Sequence, residues 1–570
     1  MVVLGPAPSL AETADPLVTE TAGRRGGRLV VALRSEPKTL NPVTALDIAS
    51  REVIGLTTAP LVRINGRTHG TEAALASSWT TSEDGRRYTV KLRRGLHFSD
   101  GQPLDADDVV FSLQAYLDPA NGSPQRDLLI VGETPIAARR IDAHTVALDL
   151  AQPYAAAERL FDGIAILPRH RLAPAQDGGS LARAWGLDSP PSTIAGLGPF
   201  RLKSHVPGER LVLERNPHYW KVDRTGTALP YLDEIVFLFV ASEDAQAIRF
   251  QSGETDVVSR LSAENYAVLA RDQEARGFRL HDLGPGLAYS FLFFNLNDLD
   301  SRALADVARR QAWFGQRGFR EAVSLALDRE GMVRLAYRGH ASPLGSHVSP
   351  GNKRWVNEAL PPPQRSIPRA RERLAGAGFS WRGDGTLVDD RDAVVEFSVV
   401  TSAGNASRLK MATIIQDDLR QLGARVHLAP LEQRALVDRI LRTHDYDAGV
   451  LALAAGDADP NPEINVWLSS GSTHLWHPGQ TEPATPWEAE IDRLMRLQMT
   501  TLDHAERKRL YDRVQALVAE HLPLVPLVSP NILVGAKVGL SNFSPTILKS
   551  HTLWNADELF WKSGSAPAAP

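Results

Sequence analysis

Two aspartates crowd one short stretch, Ala454-Ala455-Gly456-Asp457-Ala458-Asp459-Pro460-Asn461-Pro462. Carboxylates at this spacing before a proline can bond their own backbone and hold a turn. A buried carboxylate can also pair an ammonium group. A second cluster is Ser472-Thr473-His474-Leu475-Trp476-His477. His474 and His477, at i and i+3, are the one suggestive metal pair. With no carboxylate neighbour they make a thin site, and no metal is expected. His474 and Trp476 could line a pocket wall or belong to a surface loop. Ser35 and Glu36 follow an apolar run at its C-terminal end, where open sheets meet ligand. Asp100, Asp105 and Asp108 are read as turn and cap residues.

The chain holds no H-E-x-x-H, P-loop, G-x-S-x-G or dinucleotide-binding glycine pattern. It has no cysteine, which removes disulfides, thiolate metal sites and cysteine nucleophiles together. An enzyme is therefore not expected, and neither is a cofactor. The other-class alternative is a hydrolase whose acid pair forms only on folding. A formal net charge of -4 offers no basic excess for a phosphate backbone, so nucleic acid is not an expected partner.

At 570 residues the chain exceeds one ordinary core, and two or three lobes are expected. Arg28 to Leu33 reads as a buried strand, and Arg87 to Arg93 alternates with period two. Asp105 caps a helix whose third residue is Asp108. The segments 145–150, 198–202, 209–215, 233–240 and 289–296 read as further strands. Phe319, Ala322, Val323, Ala326 and Leu327 recur on one helical face, with Asp328 capping the next helix. Leu409 to Leu422 is a helix stopped by Gly423, and a strand begins at Arg425. Two helices fill 487–520. Strands and helices mix without strict alternation, which is an α/β (mixed α+β) pattern. Residues 1–25 read as a disordered tail or signal-peptide remnant, and 563–570 as a second tail.

Several stretches carry more than secondary structure. Glu36-Pro37-Lys38-Thr39-Leu40-Asn41-Pro42 follows the first strand. Tyr88-Thr89-Val90-Lys91-Leu92-Arg93-Arg94-Gly95-Leu96-His97-Phe98-Ser99-Asp100-Gly101-Gln102-Pro103-Leu104 runs into Ala106-Asp107-Asp108-Val109-Val110-Phe111-Ser112. Gly198-Pro199-Phe200-Arg201-Leu202 precedes Arg215-Asn216-Pro217-His218-Tyr219-Trp220. Leu229-Pro230-Tyr231-Leu232-Asp233-Glu234-Ile235, Gly253-Glu254-Thr255-Asp256-Val257, Phe294-Asn295-Leu296-Asn297 and Phe319-Arg320-Glu321-Ala322-Val323 complete the series. In this order and spacing the chain resembles the family 5 extracellular solute-binding proteins, the peptide, dipeptide and nickel receptors of ABC importers. The resemblance runs from about Gly26 to Trp561.

The resemblance implies a type II periplasmic-binding-protein fold with two lobes and an additional domain. Domain I would join 26–75, 193–285 and 529–562. Domain II would be the insert 76–192, and domain III would run over 286–528. The ligand would sit between domains I and III, closed over by a hinge. It implies an extracytoplasmic, periplasmic receptor that hands a small ligand, most simply an oligopeptide, to an ABC permease in the membrane, and that works as a monomer. No lipobox cysteine is present. The alternatives within the binding class are an oligosaccharide, an opine or a chelated metal. Family peptide binders place an aspartate for the ligand ammonium in a loop ending in Asp-Pro or Glu-Pro. Here the match is Asp457, three before Pro460 where the pattern has four, with Ala455, Gly456 and Asp459 beside it. Tyr289 stands where the family presents an aromatic to the cleft; the other reading is a core aromatic. Asn295 is expected to fix hinge backbone.

Overall fold

A computed structural model describes residues 15–297, 299, 304–454 and 457–564. Its apolar strands collect into three main sheets. The largest has seven strands in the order Phe200–Val206, Arg210–Arg215, Glu234–Phe239, Arg28–Leu33, Val257–Val258, Val528–Lys537 and Phe278–Pro285, with Ala341–Pro343 added alongside Val528–Lys537. Arg28–Leu33 runs parallel to Glu234–Phe239 with Val30 opposite Val236. A four-stranded antiparallel sheet orders Ala76–Thr81, Arg87–Leu92, Thr145–Asp149 and Ala137–Asp142. A five-stranded sheet orders Arg425–Leu431, Glu396–Ser402, Ala448–Ala454, Ala288–Phe294 and Leu524–Pro526. This is the mixed α/β architecture of type II binding proteins.

Local chemistry explains the elements that were expected. The helix Ala106–Leu117 begins with a complete capping box: Asp105 accepts from the N-terminal backbone, and Asp108 accepts from the Asp105 N–H. Asp328 caps Arg329–Tyr337 by accepting from Gly331 N at 2.7 Å. On Arg317–Ala326 and just beyond it, Phe319, Ala322, Val323, Ala326 and Leu327 are all buried. Burying each large side chain contributes roughly 1.5–3 kcal/mol.

The five-stranded sheet is covered on both faces. Leu292 and Phe294 pack with Val399, Val450 and the helices Arg317–Ala326 and Ala406–Gln421. Phe291 and Phe293 point the other way, toward Trp467, Trp476 and the helices Pro486–Thr500 and His504–His521. Two covered faces require a continuous apolar strand rather than an alternating one, and Ala288–Phe294 has that composition.

The chain passes between the large and five-stranded sheets twice, side by side. Phe278–Pro285 leads through Gly286 and Leu287 into Ala288–Phe294, and Leu524–Pro526 leads through Leu527 into Val528–Lys537. The two crossings are pinned together. Gly286 N donates to Pro530 O at 2.9 Å, Leu527 N to Ser290 O at 2.9 Å, and Ser529 Oγ to Gly286 O at 3.2 Å. Gly351 lies against this crossing so closely that a Cβ there would stand 2.0 Å from Pro285 O. Asn295, just past the first crossing strand, donates to His444 O at 2.9 Å and Tyr446 O at 2.8 Å.

The start of the described chain corrects one expectation. Leu17–Thr19, placed by sequence in a disordered tail, is a strand parallel to Lys221–Asp223. Thr19 Oγ1 donates to Glu558 Oε1 at 3.0 Å. Backbone pairing and this side-chain tie order a segment whose composition alone lacks a core-forming pattern. Residues 1–14 and 565–570 lie outside the described residues. Among the described residues, no helix is long and apolar enough to cross a membrane.

Candidate functional site

Three cavities share walls, and the first of them lies beside the crossing strands. The first, about 490 Å³, reaches Leu287 and Ala288 at the crossing, Ala454 at the end of its strand, and Arg51, Glu52, Arg260 and Lys549. The second, about 390 Å³, shares Arg51, Glu52, Lys549 and Ser550 with it and adds Asp162, Tyr219 and Trp554. The third, about 360 Å³, shares Asp162, Lys549 and Trp554 with the second and extends to Tyr154, Arg159, Asp457 and Asp459. Lys549 therefore lines all three.

The elements around the cleft come from distant parts of the chain. Ile48–Thr57 is capped by Asp47, which accepts from Ser50 N at 2.8 Å, and it carries Arg51 and Glu52. The insert helix Ala157–Asp162 carries Arg159 and Asp162. The segment after Leu540–Ser541 supplies Thr546, Leu548 and Lys549. Its shape is held by Thr546, whose N–H donates to His551 O at 2.8 Å and whose hydroxyl donates to Gly66 O.

Asp457 does not stand open. Arg159 Nε donates to its Oδ2 at 2.5 Å and Arg159 Nη2 to its Oδ1, a bidentate pair. Arg159 Nη1 also donates to His69 O at 3.0 Å. Asp457 lines the third cavity, and both its oxygens accept from the guanidinium that the insert helix brings to the loop, so a ligand ammonium at this position would have to displace Arg159. This pair spans the insert and the five-stranded sheet's loop. Asn461 Nδ2 bridges the same gap to Ala155 O at 2.9 Å. Ala455 and Gly456, expected beside the ligand, lie outside the described residues.

Asp459 is bound more deeply. Arg507 Nη1 and Nη2 donate to its two oxygens at 3.0 and 2.9 Å, and Asn461 N donates to Oδ1 at 3.0 Å. The Arg507 guanidinium lies 4.9 Å over the Trp355 ring. Asp459 is thus a turn residue and the partner of a buried cation, with only its edge on the cavity.

The other sequence candidates fall elsewhere. His474 is fully buried, with Nδ1 3.1 Å from Val466 O, and Trp476 is 1% exposed and donates to Glu488 Oε1 at 3.0 Å. Both belong to the core behind the five-stranded sheet, so their expected place on a pocket wall is corrected. Tyr289 is 2% exposed and shares that core with Phe291. It lies on the covered face of its strand, and its expected presentation to the cleft is corrected to a core position. Glu36 pairs with His205 Nε2 at 2.5 Å and accepts from Gly208 N at 3.3 Å, tying its loop to the hairpin Phe200–Arg215. Ser35 is exposed, and neither residue lines the three cavities. Among the described residues, no cluster of three His, Asp or Glu is placed to hold a metal ion.

Sequence reading missed the charges that do line the cleft. Burial pushes the Glu52 carboxyl up to about 7, against a small opposing pull from Arg260. Burial likewise raises Asp162 to about 6, although it accepts from Ile64 N at 3.0 Å. Lys549 is held below its ordinary value by burial and by Arg51, against the pull of Asp457 and Asp162. His551 is pushed down to about 4 by burial and Arg260. These residues sit in no motif, and only their convergence from separate segments gives them meaning.

A cleft between two sheets, joined by a pinned double crossing and lined by ionisable groups held away from their ordinary values, has the form of a ligand-binding site. The family model for bacterial extracellular solute-binding proteins, family 5 (middle region), matches residues 70–474, and the chain belongs to that family. A probable ABC transporter-binding protein of Deinococcus radiodurans is 26% identical over 516 residues, covering 87% of this chain and 85% of that protein. The oligopeptide-binding protein AppA of Bacillus subtilis is 24% identical over 533 residues, covering 91% and 90%. Among solved structures, NikA of Brucella suis in complex with Fe(III)-EDTA superposes with a TM-score of 0.77 at 21% identity, covering 94% of this chain and all of that one.

Proposed function

We propose that this chain is the extracytoplasmic receptor of an ABC importer, and that it closes on a short peptide and releases it, unchanged, to a permease. The observation that carries the ligand reading is the oligopeptide-binding relative aligned along 91% of the chain. The domain boundaries that fit this reading are 26–75, 193–285 and 529–562 for domain I, 76–192 for the insert, and 286–528 for domain III, in one monomer.

The working cycle is a population shift. An open form admits the ligand. Contacts from the ligand to both lobes favour the closed form, which docks on the permease. The bridges from Arg159 to Asp457 and from Asn461 to Ala155 belong to the closed form and break on opening. Small-angle scattering of the ligand-free protein, with and without the peptides found on it by native mass spectrometry, tests this. The expected result is a smaller radius of gyration with bound peptide. A bound solute that leaves the radius unchanged refutes hinge closure, and a co-purifying solute that is not a peptide refutes the ligand class.

A further inference from the structure

The charges of the cleft divide into those with partners and those without. Asp457 has Arg159, and Asp459 has Arg507. Arg51, Arg260 and Lys549 all line the 490 Å³ cavity, and among the described residues none of the three makes an ion pair or a side-chain hydrogen bond. They come from the helix Ile48–Thr57, from just after Val257–Val258, and from the segment following Leu540–Ser541. Arg51 and Lys549 repel each other closely enough to disfavour the charged lysine. All three are exposed to solvent.

The groups that could offset them do so weakly. Glu52 faces the cavity from the same helix as Arg51, and burial holds it near half-protonation at neutral pH. His551, on the C-terminal segment, is kept neutral by burial and Arg260. Asp162 and Asp457 act on Lys549 from the adjoining cavity; the first is raised by burial and the second is already paired. Leu261, Leu287 and Leu533 add apolar wall beside the charges.

We propose that this cavity reads a carboxylate on the ligand, so that the receptor selects acidic short peptides, with Arg51, Arg260 and Lys549 as the residues that determine this specificity. The inference rests on the peptide reading above but names the charge that the peptide carries. A carboxylate can come from an acidic side chain or from the C-terminus, and the test separates the two.

The test is titration calorimetry on the full chain, stripped of bound solute, with four tetrapeptides: Ala-Glu-Ala-Glu, Ala-Gln-Ala-Gln, Ala-Lys-Ala-Lys and C-amidated Ala-Glu-Ala-Glu. Tricarballylate serves as a non-peptide carboxylate. The expected order is acidic over neutral over basic, with at least about tenfold between the first and last, weakening as salt rises. No loss on C-amidation assigns the side-chain carboxylates; a loss of about tenfold assigns the terminal carboxylate, which every unblocked peptide carries, and overturns the selection of acidic peptides. R260Q and K549Q should each reduce acidic-peptide affinity by about tenfold or more while leaving Ala-Gln-Ala-Gln within about twofold, and K549R should restore it. Circular dichroism of each variant checks its fold. Equal binding of neutral and acidic peptides, or acidic-peptide binding that survives both R260Q and K549Q, overturns the proposal while sparing the peptide reading. Tricarballylate binding that is lost in K549Q, with no peptide binding, upholds the carboxylate site and overturns the peptide reading. Failure of every carboxylate probe to bind overturns the proposal.

Discussion

The two ends of the cleft handle charge in opposite ways. At the end formed by the loop after Ala448–Ala454, each acid is matched: Asp457 by a bidentate arginine from the insert, Asp459 by a buried arginine under an aromatic ring. At the end beside the crossing strands, three cations share one cavity with a single acid that burial holds up near 7. Matched charges fix geometry; they specify which surfaces meet and leave little over for a ligand. Unmatched charges at a hinge leave an interaction to be completed by whatever enters. The loop that sequence marked for ligand is therefore tied to the insert, and the end proposed above to read the ligand is one that sequence left unremarked.

The sharpest break of this contrast is at the matched end. Replacing Arg507 by Met leaves Asp459 buried without its cation, Oδ2 unpaired and Oδ1 held by Asn461 N alone, and also removes the bonds to Asn461 Oδ1 and Gln498. The expected loss is about 3–5 kcal/mol of unfolding free energy, the cost of breaking a buried pair from one side. Urea denaturation measures it as a lower midpoint at unchanged slope. A loss within ordinary surface-mutation range would mean that the Asp459 knot does not hold the loop.

Glu52→Gln sharpens the other side. The folded pKa of Glu52 is raised to about 7, above its ordinary carboxylate value, so the folded state binds the proton more tightly than the unfolded state does. Stability from this group is fully present below the unfolded value and falls as pH rises through about 7. After allowance for its partial exposure, the drop is of order 2 kcal/mol. The Gln variant should lose that slope, so that wild type and variant diverge most above pH 7 in a pH series of thermal melts. Parallel curves would show that Glu52 is not desolvated in the cleft.

The contrast also explains what the sequence made legible. Local rules were enough for the Asp105–Asp108 capping box, the Asp328 cap and the buried face of Arg317–Ala326, because each is settled within one turn of backbone. Of the double crossing only the strand over 289–296 was legible as an apolar run; its pinning to the second crossing through Leu527 is a contact between distant segments. Arg159 meets Asp457 across 298 positions, and no spacing rule reaches that far. Lys549 and Arg260 sit in stretches without periodicity, so only folding reveals that they face one cavity. His474 and Trp476 misled for a related reason: a polar-looking hexapeptide was drawn into the core by Trp476 and Glu488, whose bond satisfies the indole while the rings fill the space behind the sheet.

The smallest expected effect concerns Asp457 itself. If Asp457 held a ligand ammonium, Asp457→Asn would weaken free-amino peptides and spare their N-acetylated forms. With both oxygens engaged by Arg159, it should instead weaken the closed state as a whole. The loss of a charge-assisted bidentate pair then lowers the affinity of both peptides by the same factor, of order tenfold or less. Side-by-side calorimetry with Ala-Glu-Ala-Glu and its N-acetylated form reads the ratio of the two losses. A ratio near one keeps Asp457 among the matched charges that join the lobes. A larger loss for the free-amino peptide would show that a ligand ammonium displaces Arg159, and would move Asp457 from the matched end of the cleft to the reading end.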